Sequence, residues 1–160
     1  MRKTLSVTIF LIIFLFIIPK TFPHCQIPCG IYNDELRFKM IEEHILTIEK
    51  SMKQIEELSK LPEKNFNQIV RWVLNKENHA DELAHIVTHY FLTQRIKVVD
   101  TEDTKAHQTY LTKITLCHEM LVYAMKAKQT TDLAHTEKLR RLLKAFFKEY
   151  FSKEAAKHTH

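Results

Sequence analysis

Apolar side chains recur along most of this chain at the spacing of one face of an α-helix. The clearest run, with alternating steps of four and three, is Ile41, Ile45, Ile48, Met52 and Ile55. This spacing places the five side chains on one stripe of a helix and the polar residues on the opposite face. It predicts a helix that starts near Asn33 and Asp34, which can cap it, and ends near Ser59, ahead of Pro62.

Three further helices are predicted from the same pattern, at about Asn65 to Arg95, Lys105 to Ala127 and Thr131 to Phe151. The expected apolar positions are Phe66, Val70, Val73, Leu74, Leu83, Ile86, Val87, Tyr90 and Phe91 in the second helix, Tyr110, Ile114, Cys117, Leu121 and Ala124 in the third, and Leu139, Leu142, Leu143, Phe146, Phe147 and Tyr150 in the fourth. Four amphipathic helices with short connectors predict an all-α fold, an antiparallel up-down four-helix bundle over residues 33–151. Residues 152–160 are expected to form a polar tail.

Composition narrows the functions that this bundle can carry. The chain has a single glycine, Gly30, which excludes phosphate-binding loops and dinucleotide fingerprints, because both need several glycines at fixed positions. Much of the net charge of +5 belongs to the first residues, where Arg2, Lys3 and Lys20 are found. The remaining basic residues are interspersed with acids along the helices, so no nucleic-acid partner is expected.

Residues 1–23 have the pattern of a cleaved leader, either a signal peptide or a pro-sequence. Arg2 and Lys3 precede an apolar run from Leu5 to Ile18. That run is shorter than the ~20 residues a membrane-spanning helix needs but suits a signal-peptide core. Export to the periplasm or the extracellular space is the expectation. An uncleaved membrane anchor and a cytoplasmic protein whose leader is removed by a dedicated protease remain alternatives.

The segment after the leader carries the candidate chemistry. His24 precedes Cys25, and Cys29 follows four residues later. Thiolates and imidazole bind soft and borderline transition metals, although two cysteines at this spacing could equally form a disulfide or be unremarkable thiols. Cleavage after Pro23 would add a free α-amino group, whose pKa of ~7.7–8.0 allows a metal ion to displace its proton near neutral pH.

The run His24-Cys25-x-x-Pro28-Cys29-Gly30-Ile31-Tyr32 resembles the nickel hook of the nickel-containing superoxide dismutases, H-C-x-x-P-C-G-x-Y. Members of that family begin, after processing, at the histidine and continue as a four-helix bundle. We call residues 24–32 the hook. The resemblance extends over leader, hook and helices, which is essentially the whole chain.

The resemblance implies a ligand set and a reaction. The amine and imidazole of His24, the backbone amide of Cys25 and the thiolates of Cys25 and Cys29 would bind one nickel ion per chain. Nickel cycling between its trivalent and divalent states would convert superoxide to oxygen and hydrogen peroxide. The resemblance also implies a homohexamer and a protease that removes the leader.

Further roles are carried over residue by residue. Tyr32 matches the family's tyrosine beside the open face of the metal, where it would limit access to small anions. The alternative role of Tyr32 is purely structural, as an aromatic side chain that packs at the start of a helix. The family orients the axial imidazole with a glutamate of the first helix and an arginine of the second. Glu42 or Glu43 could be the glutamate, with Glu42 preferred, and His79 stands near the place of the arginine. Gln26 replaces an aspartate found in some members.

Three other residues that could bind a metal receive structural interpretations. Cys117 is expected to be a buried core thiol, and His85 and His89, four residues apart, are expected to lie on a surface or an interface. An alternative function is that of an exported or anchored helical protein that binds a soft metal ion, such as copper(I), through Cys25 and Cys29. A membrane-tethered bundle with a Cys25–Cys29 disulfide is a purely structural alternative.

Overall fold

Four helices form the part of the protein that the computed structural model describes, residues 33–152. They are α1 (Asp34–Leu58), α2 (Pro62–His85), α3 (Thr104–Gln129) and α4 (Ala134–Phe151), and α2 continues directly into a π-helical segment, Ile86–Arg95. No strand occurs between residues 33 and 152. Within the same range, no helix is both long and apolar enough to cross a membrane. The predicted leader, the hook and residues 153–160 of the tail lie outside the described residues.

The helices form a ring in which each packs against its neighbours in sequence and α4 also packs against α1. Short connectors reverse the chain between successive helices, which gives the up-down-up-down order. The predicted all-α four-helix bundle is therefore confirmed for the described residues.

The buried core matches the expected stripes where the helices face one another. The isoleucine stripe of α1 and the second apolar stretch of the second predicted helix are buried, as are Cys117, Ala124, Leu139, Leu142, Leu143 and Phe146. Tyr110, Ile114, Leu121 and Tyr150 are partly buried against this core. Burial of these side chains supplies the main stabilisation of the bundle, because each large apolar side chain removed from water contributes roughly 1.5–3 kcal/mol.

The first half of α2 differs from the expectation, because its apolar side chains remain exposed. Phe66 is 71% exposed and Leu74 is 56% exposed, and Val70 is exposed as well. Lys76 contacts the carbonyl end of α3, so the part of α2 that precedes it extends beyond α3. The apolar side chains on this part of α2 are therefore not covered by α3. Phe147 of α4, also expected in the core, is 41% exposed.

Helix boundaries were predicted closely for α1 and less closely elsewhere. The Asn33 side chain accepts a hydrogen bond from the Leu36 amide at 3.3 Å, which is the expected N-cap. Helix α2 starts at Pro62 instead of about Asn65, since proline fits the first helical position, where no N–H partner is needed. Helix α4 starts at Ala134 instead of Thr131, because the Asp132 side chain accepts the Ala134 N–H at 2.9 Å and holds the preceding residues in a turn.

The π-helical segment was not predicted from the sequence. Hydrogen bonds that span five residues mark it, including the Ile96 amide to the Phe91 carbonyl at 2.9 Å. The Thr93 hydroxyl also bonds the Thr88 carbonyl at 2.8 Å. In this geometry residues five apart lie nearly above one another, whereas in an α-helix they point in different directions.

Candidate metal centre

The four residues predicted to form the metal centre, His24, Cys25, Cys29 and Tyr32, lie outside the described residues. The structure instead defines the support to which they are attached. Helix α1 begins at Asp34, two residues after Tyr32.

A cluster of hydrogen-bonded polar side chains surrounds this first residue of α1. The carboxylate of Asp34, which is 9% exposed, accepts a hydrogen bond from the Tyr90 hydroxyl. It also accepts from Arg95 Nη2 at 2.5 Å and from the Tyr150 hydroxyl at 2.8 Å. Arg95 Nε donates to the Tyr150 oxygen at 3.3 Å, which closes the network. We call these four residues the Asp34 cluster.

Three elements meet in the Asp34 cluster. Tyr90 and Arg95 are five residues apart in the π-helical segment, so this segment directs both side chains toward α1. Tyr150 comes from the last turn of α4. The start of α1 is thereby attached to α2 and α4 by bonds to a charged acceptor, which are stronger than neutral ones.

The electrostatics of the cluster favour one protonation state. Burial disfavours a charged carboxylate, but the bonds from Arg95, Tyr90 and Tyr150 outweigh it and lower the pKa of Asp34 below its usual value of 3.8. Burial, together with the bond to Asp34, raises the pKa of Tyr90 to about 12 and also raises the pKa of Tyr150. Asp34 is therefore ionised, and both tyrosines are neutral donors, at physiological pH.

Glu42 lies on an exposed side of α1 and lines a groove of about 460 Å³ between α1 and α4. The groove has an apolar floor that includes Phe38 and Leu143, and basic side chains at its edge, Arg140 and Lys144. Glu42 thus faces α4.

His79 faces a different helix. Its Nδ1 lies 2.8 Å from Nδ1 of His44, a hydrogen bond between α2 and α1 in which one ring donates and the other accepts. Burial, and then the charge of His79, lower the pKa of His44, while Glu82 and Glu43 oppose the shift. The structure therefore pairs His79 with His44 and places Glu42 on another side of α1.

Two features of this region were missed by the sequence reasoning. His44 falls three residues after Ile41 and four before Ile48, so its position on the buried edge of the stripe could have been recognised. Asp34 was interpreted only as a capping residue. The signal for its cluster was the expected burial of Tyr90 and Tyr150, because a buried tyrosine hydroxyl needs a hydrogen-bond partner.

Other candidate ligands within the described residues are dispersed. No group of three or more histidine, cysteine, aspartate or glutamate side chains in residues 33–152 could hold a metal ion. His85 and His89 stack at 4.3 Å between ring centroids on the exposed side of the helix, as expected. Cys117 is fully buried, and burial raises the pKa of its thiol to about 12, so the core assignment is confirmed.

The chain matches the model of a known protein family. Residues 20–154 match the family described as nickel-containing superoxide dismutase. The match covers well over half of the chain and includes both the hook and the bundle. No significant match was found among curated proteins or among solved structures.

Proposed function

Because the chain belongs to the nickel-containing superoxide dismutase family, and is thus an oxidoreductase that acts on superoxide, we propose that its hook is the nickel site. His24 would contribute its freed amine and its imidazole, and Cys25 and Cys29 their thiolates. The observation that carries this proposal is that one family match extends over the hook motif and the bundle together.

The donor set of the hook fits nickel. The two thiolates and the nitrogen donors of His24 and Cys25 are ligand types that would hold divalent nickel. When bound there, nickel would supply one-electron chemistry, by alternating between its trivalent and divalent states. The donors of the chain would bring the potential of this nickel couple into the range in which it can react with superoxide. Proline has a restricted φ and glycine an unusually free one, and these would be the roles of Pro28 and Gly30 in the proposed site.

The remaining residues of the proposed site act on access and orientation. Tyr32 would limit access to small anions. An imidazole that binds metal through one nitrogen has a single N–H left for a partner, so only one of Glu42 and His79 can take it from His24. The groove beside Glu42 and the His44–His79 pair face different helices, so Glu42→Gln and His79→Gln are expected to differ in their effect on activity.

Assembly and processing complete the proposal. We expect one nickel ion per chain, removal of residues 1–23 by a protease, and a homohexamer. The exposed apolar side chains of Phe66, Val70 and Leu74 support self-association, because contiguous exposed apolar surface is typical of interfaces. The apolar run of the leader favours export over cytoplasmic processing.

Mass determination of the native chain, combined with metal analysis, tests the proposal directly. We expect a mature chain that begins at His24 and contains about one nickel per chain. An active protein that retains its leader, or that stays equally active after stringent nickel removal, would refute it.

Ligand replacement tests the individual donors. Cys29→Ser should abolish dismutation and leave the helical circular dichroism unchanged, because the hook precedes the bundle core. The matched control is Cys117→Ala, which removes a thiol from the core and should retain dismutation. Insertion of one alanine before His24 should be as damaging as Cys29→Ser, since it displaces both the amine and the imidazole. Activity retained by Cys29→Ser would contradict the ligand assignment.

A further inference from the structure

We propose that His44 of α1 and His79 of α2 form a metal site of the bundle itself, which binds a zinc ion between the two helices through both Nδ1 atoms. Water completes the coordination of the ion. The proposal concerns residues of the bundle alone, goes beyond the proposed function and does not rest on the nickel site in the hook.

The two rings present nitrogen atoms to each other across the contact between α1 and α2. Nδ1 of His44 lies 2.8 Å from Nδ1 of His79, and the ring centroids are 5.0 Å apart. Two imidazoles that bind one zinc ion at ~2.0–2.1 Å and the tetrahedral angle have nitrogens roughly 3.3 Å apart and ring centres roughly 5 Å apart. The spacing of the rings therefore fits a zinc ion, and the nitrogens need to separate by only about 0.5 Å, through a small tilt of each ring.

The protonation state of the pair is compatible with metal binding. In the neutral pair one ring carries its proton on Nδ1 and donates it to the other. For both Nδ1 atoms to bind zinc, the donor ring must carry this proton on Nε2 instead, which is a change of tautomer without net loss of a proton. Burial, followed by the charge of His79, lowers the pKa of His44 from 6.5, so His44 is neutral at physiological pH, the form that binds metal ions.

The helices hold both rings in place before an ion binds. His44 directly precedes Ile45, and His79 directly precedes Ala80, and both of these neighbours are 1% exposed. Because the core fixes the backbone that carries each ring, little conformational freedom is lost when an ion binds. Helical bundles commonly build metal sites in this way, from side chains of facing helices.

Water and nearby carboxylates complete the surroundings of the ion. No third histidine, cysteine or carboxylate in residues 33–152 completes a set of ligands, so the remaining positions of the ion are open to water. Water can reach them, because His44 and His79 are half-buried and not enclosed. The carboxylates of Glu82 and Glu43 favour positive charge at His44, and the same charges favour a bound cation.

His85 and His89 form the competing pair, four residues apart on one helix. Their rings are stacked, with centroids 4.3 Å apart and planes inclined by 23°. Stacked rings face each other with their π surfaces, whereas His44 and His79 face each other with their nitrogens. Both His85 and His89 are exposed, so their side chains lose more freedom when they bind an ion. We therefore assign the zinc site to the pair between the helices.

The experiment measures zinc affinity by competition with a chelator, in the full chain with the thiols of the hook replaced. Cys25→Ser and Cys29→Ser are present in every sample, so that these sulfur donors do not compete for zinc. His44→Gln and His79→Gln should each weaken zinc binding at least about tenfold, because loss of a group that merely orients a metal ligand already costs ~10–100-fold. Circular dichroism verifies that each variant keeps its helices.

Two further histidines serve as matched controls. His85→Gln removes one ring of the exposed pair, and His118→Gln removes an exposed histidine of α3. Both variants should keep the zinc affinity of the background chain. A second measurement needs no change in the bundle: zinc should shift the ¹⁵N signals of two histidine Nδ1 atoms together and leave the proton of each ring on Nε2.

Each outcome decides the proposal. Zinc affinity that is unaltered in His44→Gln and His79→Gln overturns it, as does a background chain that binds no zinc or shows no change in its Nδ1 signals. A loss confined to His85→Gln overturns it too and places the ion at the exposed pair. Since the thiols of the hook are replaced in every sample, none of these outcomes bears on the proposed nickel site, which is tested in the unaltered chain.

Discussion

Lys76 provides the most direct test of how helices α2 and α3 are held together. Its side chain is 3% exposed, and its Nζ donates to the carbonyl oxygens of Ala127 at 2.9 Å, Lys128 at 2.5 Å and Thr130 at 3.1 Å. These carbonyls belong to the C-terminal end of α3, where the helix leaves its last carbonyls without intrahelical partners. Lys76 therefore caps α3 from α2.

The expected cost of Lys76→Met follows from these contacts. A hydrogen bond to a charged group contributes about 1.5–3 kcal/mol, and a buried carbonyl left without a partner costs about 1–3 kcal/mol. The Ala127 carbonyl is the buried acceptor, whereas the acceptors closer to the surface can bind water. Burial lowers the pKa of Lys76, so the variant also avoids the cost of burying the ammonium group. We expect a net loss of about 2–3 kcal/mol in the free energy of unfolding.

Urea unfolding followed by circular dichroism at 222 nm measures this difference. Lys64→Met is the matched control, because Lys64 lies exposed on the same helix, and substitutions of that kind usually change stability by less than about 0.5 kcal/mol. A loss in Lys76→Met no larger than that of the control would refute the capping role.

The remaining predictions concern pH and thiol reactivity. In the folded protein the pKa of His44 is lowered from 6.5, so the stability that its neutral form contributes is complete above that pH and is lost as the pH falls through the folded value. The variant His44→Gln should therefore show a weaker dependence of the free energy of unfolding on pH in this range. An unchanged pH dependence would contradict the lowered pKa of His44. In the folded protein the pKa of Asp34 is lowered from 3.8, so the stability that its carboxylate contributes is present above that pH and is lost as the pH falls through the folded value. The difference in the free energy of unfolding between the unaltered chain and Asp34→Asn should therefore shrink on acidification below that pH. A constant difference would count against a stabilising ion pair between Asp34 and Arg95. Burial raises the pKa of Cys117 to about 12, so a thiol reagent at pH 8 should leave it unmodified until urea is added, and rapid labelling of the native protein would show that the thiol is accessible.

Local patterns in the sequence were sufficient for several parts of this protein. The steps of four and three between the isoleucines of α1 predict its buried face, because helical geometry alone places those side chains together. The N-cap at Asn33 was predictable for the same reason, since it bonds the Leu36 amide only three residues away. The spacing of His24, Cys25 and Cys29 pointed to the family, which the match over residues 20–154 then confirmed.

Burial on α2 could not be predicted in the same way. Phe66 and Leu83 are apolar positions of one helix, yet one is 71% exposed and the other is fully buried. The difference depends on where α3 ends relative to α2, which is a property of the packed helices and not of the local pattern.

The sequence by itself determined the helices, the buried face of α1 and the residue types of the hook, because each of these depends on residues within a turn or two of one another. Only the tertiary structure decided the partners of Asp34, Lys76 and His79. Those partners are 35 to 116 residues distant in the chain, and such pairs meet only when helix packing sets the height and rotation of each helix. The π-helical segment belongs to this second group, since the bonds that Tyr90 and Arg95 make to α1 become possible only once the two helices are in contact.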